Sequence, residues 1–369
     1  MKAPEIENLE ELASPALLVS EERVRTNIRR AVDAARSAEW LRPHIKTHKS
    51  PAVLGLQREA GIRKFKCATL SEAEMAARAG AEDLLVALQP VGPAVGRLLR
   101  LVKEYRGTKF RTIGDDGGAV RVLGDVFASE GEEIDVLLDI DCGMGRTGVR
   151  TLEGGLAVYR LLRDVAGIRP GGLHFYDGHV VDEDVCVRES EYGKAMERVA
   201  LFREAIKALG DPLGRMVGGG SPTFAMHAGE AGVECSPGTF VFWDAGYGKG
   251  YPELPFVPAA WLLTRVVSRP GARRACLDLG HKAVAAERGL EQRVLFPELG
   301  EVDVISQSEE HLVLEGKGVV GLEVGTALLG VPWHICPTVA LYEKLGVVRG
   351  ALVESVWEVA GRDQQLFRG

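Results

Sequence analysis

The 369-residue sequence predicts an α/β protein, a (β/α)8 TIM barrel followed by a smaller C-terminal β-domain. Two patterns and one size argument predict it. As far as Gly220, short β-branched apolar runs alternate with longer segments of helical period, the signature of a parallel sheet with crossover helices. From about Trp261 onward, strand-like runs follow one another without helices between them. At roughly 100 to 200 residues per domain, the length accommodates one large and one small domain. The expected boundaries are 14–250 for the barrel and 251–369 for the β-domain, with 1–13 packing on the latter.

Eight runs supply the barrel strands: ALLVS from Ala16, LRPHIK from Leu41, KFKCAT from Lys64, DLLVAL from Asp83, FRTIGD from Phe110, DVLLDID from Asp135, GGLHFY from Gly171 and RMVGGG from Arg215. Eight βα units are the count of a closed barrel, whereas a doubly wound sheet usually stops earlier and carries its glycine turn after the first strand. Here the turn Gly218-Gly219-Gly220 follows the last run, a common place for phosphate in barrels. Amphipathic stretches such as Glu21–Ala38 fill the intervals, and one opens with Ser71 and Glu74 at capping-box spacing. Beyond a connector at Trp243–Pro258, WLLTRVVSRPGARRACLDLG reads as a hairpin turning at Pro270-Gly271, and EVDVISQ, HLVLEG and ALVESVWEVA read as further strands.

Composition narrows the function. Net charge is −7 with no basic run, which argues against nucleic acid or an anionic membrane as partner. No apolar stretch is long enough to span a bilayer, and the acidic N-terminus lacks the apolar region of a secretory signal. Six scattered cysteines in a chain this large fit reduced thiols in a cytoplasm. The 45 glycines exceed ordinary usage with no low-complexity tract to absorb them, so they serve individual turns and sites.

Three motifs carry chemistry. The cluster Arg42-Pro43-His44-Ile45-Lys46-Thr47-His48-Lys49 ends the second run, where barrel active sites lie, and a lysine there can be held neutral as a nucleophile toward an aldehyde. The glycine triplet with Ser221 and Thr223 offers amides and hydroxyls to an anion. His334-Ile335-Cys336, on an extended segment, would turn an imidazole and a sulfur the same way and grip one cation. Taken alone, each also reads as ordinary: a solvated basic loop, a tight turn, two packed side chains.

In order along the chain, RPHIKTHKSP, CATLSEAEMA, Asp141–Gly148 (DCGMGRTG), GLHFYDGH, GGGSPTF, ECSPGTF and HICPTVALYE resemble the D-threonine aldolase and D-serine dehydratase family, pyridoxal-phosphate enzymes with an alanine-racemase-like barrel and a β-domain. The resemblance runs from about Ser14 to about Glu354. It implies that Lys46 carries the cofactor, with Lys49 a bystander. It places Gly218, Gly219, Gly220, Ser221 and Thr223 around the phosphate, with Gly238 and Thr239 completing the cup. Arg146 falls beside the phenolic oxygen, and Tyr176 has the shape to contact the pyridine ring. His334 and Cys336 become the ligands of a divalent metal, zinc favoured for the sulfur and manganese the alternative. His179 falls near a histidine base of the aldolases, and the role of His174 stays open. Asp278–Lys282 and Ser308–His311 also match family segments, at the protein surface or at the interface of an expected homodimer.

The implied activity is a lyase on β-hydroxy-D-amino acids. Whole-chain resemblance favours D-threonine aldolase-like cleavage to glycine and an aldehyde. The His-x-Cys pair favours D-serine dehydratase-like elimination to a 2-oxo acid and ammonia. A racemase, which needs two bases and no metal, and a single-barrel cofactor carrier fit less well.

Overall fold

A computed structural model describes residues 2–363. They divide into two compact units. One gathers the chain up to Arg30, Thr47–Leu56 and Thr239–Arg362; the other holds Ala31–Lys46 and Gln57–Gly238. The barrel unit thus ends at Gly238, ahead of the expected boundary at 250, and the first run, β1 (Ala16–Ser20), lies in the other unit.

The barrel consists of β2 (Lys64–Cys67), β3 (Asp83–Val86), β4 (Lys109–Gly114), β5 (Ile134–Ile140), β6 (Ile168–Phe175), β7 (Arg215–Gly218) and β8 (Val233–Cys235), each parallel to the next. The ring is completed by the segment 41–46, which bridges Cys235 through Leu41 and Lys66 through His44. The Arg42 N–H donates to the Cys235 carbonyl and the Ile45 N–H to the Lys66 carbonyl, each at 2.8 Å. Pro43 has no N–H to offer, so the segment never becomes a regular strand. The count of eight is therefore right but two members differ from expectation: β1 is out, and the three-residue β8, too short to register as a run, is in. Consequently Gly218–Gly220 follows the seventh barrel position and Pro237-Gly238 the eighth, the pair of loops that binds phosphate in many barrels.

Side-chain alternation stacks three layers inside the ring. The lowest is charged. Arg42, fully buried, pairs with Asp83 and Glu234 at 2.7 Å each; Lys64 reaches Glu234 at 2.8 Å; Arg111 bridges Asp83 at 3.0 Å and Asp135. Two residues further along the strands, Leu85, Ile113, Leu137 and Val217 form an apolar layer. A further step brings Lys46, Asp139 and His174 to the C-terminal mouth, which the longer side chain of Lys66 reaches from the level of Leu85. The helix Leu70–Arg78 is capped by Thr69, whose side chain accepts the Glu72 N–H, while the Glu72 carboxylate accepts the Ala68 N–H at 2.7 Å. The capping box is thus two residues earlier than Ser71 and Glu74 suggest; those two lie inside the helix.

The other unit is built on a nine-stranded sheet of β1 with β9 (Ala260–Gly271), β10 (Arg274–Leu277), β11 (Val294–Leu295), β12 (Val302–Gln307), β13 (Leu312–Gly316), β14 (Ala327–Pro332), β15 (Lys344–Arg349) and β16 (Leu352–Glu358). β1 lies between β9, antiparallel, and β15, parallel. The hairpin of β9 and β10 forms as predicted, with its turn at Ala272-Arg273, just past Pro270-Gly271. Ile6, Leu9 and Leu12 of the N-terminal segment pack on the core around Leu18, Trp261 and Leu329. None of the described helices is long and apolar enough to cross a membrane.

Candidate active site

At the barrel mouth, three cations converge on one aromatic ring. Tyr176, directly after β6, has Arg146 Cζ 5.0 Å, Lys46 Nζ 5.8 Å and Lys66 Nζ 6.0 Å from its ring centroid. Lys46 ends the closing segment, Lys66 points inward from β2, and Arg146 comes from the loop after β5. That loop is held by Asp141, which accepts the N–H groups of Gly143 at 3.0 Å and Gly145 at 2.9 Å. Beside the cations, the Asp139 carboxylate meets His174 Nδ1 at 2.7 Å, with both side chains buried. Burial holds the His174 pKa below its ordinary value although Asp139 opposes this. The imidazole is thus neutral at neutral pH, donating from Nδ1 and leaving Nε2 without a partner. Sequence reasoning left His174 open and missed Lys66.

The glycine turn forms a cradle of main chain. Gly219 adopts φ +87°, and the His227 ring occupies the space a Cβ would need; at Gly218 the Phe175 ring does the same. The Thr223 hydroxyl accepts the Gly220 N–H at 3.5 Å, and the Ser221 hydroxyl accepts the Gly238 N–H at 3.3 Å, tying the two turns together. Behind the cradle, His227 is fixed by Asp177 at 2.8 Å on Nε2 and the Tyr192 hydroxyl at 3.3 Å on Nδ1. This support was not singled out in the sequence, where only the adjacency of Asp177 to Tyr176 hints at it. A primary amine, converging cations and an amide-lined cradle in one mouth fit pyridoxal phosphate. His179 is exposed and lies on the loop that carries Arg146, its Nε2 2.6 Å from where a Cβ on Gly143 would stand.

The second group of predicted residues lies in the other unit. His334 is not on an extended segment with Cys336: it is the N-cap of the helix Ile335–Val339, and Cys336 lies in its first turn. The two side chains still hydrogen-bond, because the helix entry folds them together. His334 Nδ1 contacts Glu287 at 2.5 Å, and Cys336 Sγ contacts the hydroxyls of Thr47 at 3.1 Å and Thr239 at 3.6 Å. Burial works against a charged His334, but its bonds to Cys336 and Glu287 win and push its pKa up to about 9. Asp244, buried beneath, accepts the Ile335 N–H at 3.0 Å. An imidazole and a sulfur side by side suit zinc; among the described residues no group of three or more His, Cys, Asp or Glu is set to hold a metal. Asp278 has a structural place, accepting the Thr264 hydroxyl at 2.6 Å, and Lys282 pairs with Glu309 and Glu310 at 2.8 Å each.

Comparison with known proteins decides the family. The model described as "Alanine racemase, N-terminal domain" matches residues 19–245, and that described as "Putative serine dehydratase domain" matches 259–348. The chain is 31% identical to a D-threonine aldolase of Arthrobacter sp. over 87% of its own length and 85% of that protein's. It belongs to the D-threonine aldolase and D-serine dehydratase family. Members of this family are pyridoxal-phosphate-dependent lyases, and their architecture is the one found here. The D-threonine aldolase of Filomicrobium marinum superposes with a TM-score of 0.89 over 98% of each chain at 27% identity. The D-threo-3-hydroxyaspartate dehydratase of Delftia sp. HT23 gives 0.85 at 25% identity, covering 96% of this chain and 99% of that one. A variant of that dehydratase with a cysteine replaced by alanine has been solved in a metal-free form.

Proposed function

We propose that this lyase is D-threonine aldolase-like and cleaves the Cα–Cβ bond of β-hydroxy-D-amino acids to give glycine and an aldehyde. The observation that carries the reading is the convergence of Lys46, Arg146 and the glycine cradle at one barrel mouth, in a chain similar along its length to D-threonine aldolases. Pyridoxal phosphate, when bound, supplies the electron sink for the pair released at Cα. Lys46 contributes the amine that holds the aldehyde carbon and, once displaced by substrate, is free to move a proton at Cα. Arg146 steadies negative charge on the ring oxygen, Tyr176 supports the ring, and Gly218, Gly219, Gly220, Gly238, Ser221, Thr223 and Thr239 take the phosphate. His179 accepts the β-hydroxyl proton. His334 and Cys336 would hold a divalent cation, zinc by its ligand chemistry, and such an ion would supply Lewis acidity.

Cys336 favours a second reading, elimination. There Lys46 takes the α-proton, the β-hydroxyl leaves as water, and the resulting enamine hydrolyses to a 2-oxo acid and ammonia. A working homodimer and a cytoplasmic setting belong to the same proposal; none of the six cysteines is in a disulfide, which fits a reducing compartment. Product analysis with D-threonine decides between the two reactions. Glycine and acetaldehyde are expected; 2-oxobutanoate and ammonia would overturn aldol cleavage. The metal site is checked by elemental analysis of a His334→Ala/Cys336→Ala double variant, expected to purify without the zinc that accompanies the parent. Equal zinc in both would remove the site.

A further inference from the structure

Lys66 is a second lysine inside the cofactor mouth. It is only 2% exposed, and its ammonium lies over the Tyr176 ring, 6.0 Å from the centroid. Lys46 and Arg146 share the Tyr176 ring with it. Asp139 is engaged by His174 at 2.7 Å and Asp177 by His227 at 2.8 Å, so the two carboxylates that favour a charged Lys66 are each shared with a histidine. Arg42, from the layer below, adds positive charge but is itself paired with Asp83 and Glu234. A buried cation crowded by other cations, with its nearby carboxylates shared, is stabilised by a further anion.

Resting on the cofactor reading above, we propose that Lys66 is a binding residue for anionic pyridoxal phosphate, and that binding the cofactor draws a proton from solvent onto its amine. Burial, and then the charge of Lys46, pull the Lys66 pKa down to about 7. Before binding, a large fraction of the amine is therefore neutral at physiological pH. The arriving anion favours the charged form and raises that pKa, so a proton is taken up.

The test is calorimetric titration of pyridoxal phosphate into cofactor-free protein at pH 7 and pH 8, in buffers of different ionisation enthalpy, for the parent, Lys66→Met and Lys66→Arg. The parent is expected to take up roughly half a proton more than either variant at pH 7, and more again at pH 8. Lys66→Met should bind at least about tenfold more weakly, since a charge-assisted contact is lost. Lys66→Arg, permanently charged, should keep its affinity without the uptake. Parent-like proton uptake in Lys66→Arg, or parent-like uptake and affinity in Lys66→Met, would overturn the inference while leaving the cofactor reading intact. Failure of the parent to bind pyridoxal phosphate would overturn both.

Discussion

Gly219 shows how narrowly single residues are constrained. Its φ of +87° is one that side chains other than glycine rarely adopt, and the His227 ring fills the space beside it. Gly219→Ala should lose cofactor affinity by about tenfold or more, since left-handed strain alone is of order 1–3 kcal/mol; titration of the visible absorption band checks this, and unchanged affinity would argue against the cradle. At this scale the sequence points to candidates wherever a residue type implies chemistry by itself, as with Lys46 beside a strand end or a glycine triplet, and the structure brings these to one mouth. It was not legible for Lys66 and His227, whose importance depends on which way they point. In KFKC, Lys64 and Lys66 are two apart and share the inward face, so the alternation rule applied to that short run would have flagged Lys66.

Elements were read well by type and less well by membership. The apolar run of β1 is that of a buried strand, with Leu17, Leu18 and Val19 at most 2% exposed, but an interior strand reads the same in either sheet. What assigns it is pairing with β9 and β15, more than two hundred residues away. β8 was missed because three residues carry no period, and the segment 41–46 escapes regular strand geometry at Pro43. The displaced capping box makes a discriminating prediction. Thr69→Ala should cost the barrel about 1 kcal/mol, the usual worth of an N-cap, whereas Ser71→Ala, which loses one hydroxyl contact with Arg97, should cost less. Urea denaturation of the two variants measures the difference, and the reverse order would contradict the assigned cap.

For the molecule as a whole, the barrel depends on a charged floor under a reactive mouth. Removing one partner of a buried ion network leaves the others uncompensated, so Arg42→Met should destabilise the barrel by about 3–5 kcal/mol, read from denaturant unfolding. The same network sets the acid response. Burial alone would raise the carboxyls of Asp83 and Glu234, but Arg42 outweighs it and holds both below the ordinary carboxylate range. Groups depressed in the folded state contribute stability that is complete above their ordinary values and lost as pH falls through the depressed ones. Unfolding free energy should therefore hold steady down to about pH 5 and fall below about pH 4, with a shallower fall in Arg42→Met; an equal acid slope in both proteins would contradict the network's role.

The barrel mouth contains Lys46 and Lys66, and Lys49 lies three residues beyond Lys46 in the chain, so locating the cofactor distinguishes among them. Purified protein loaded with pyridoxal phosphate is reduced with borohydride, digested, and mapped by mass spectrometry. Attachment of the cofactor at Lys46 predicts a single pyridoxyl-modified peptide with the label on that residue and loss of the visible band in Lys46→Ala. A label on Lys66 or Lys49, or none above background, would contradict it.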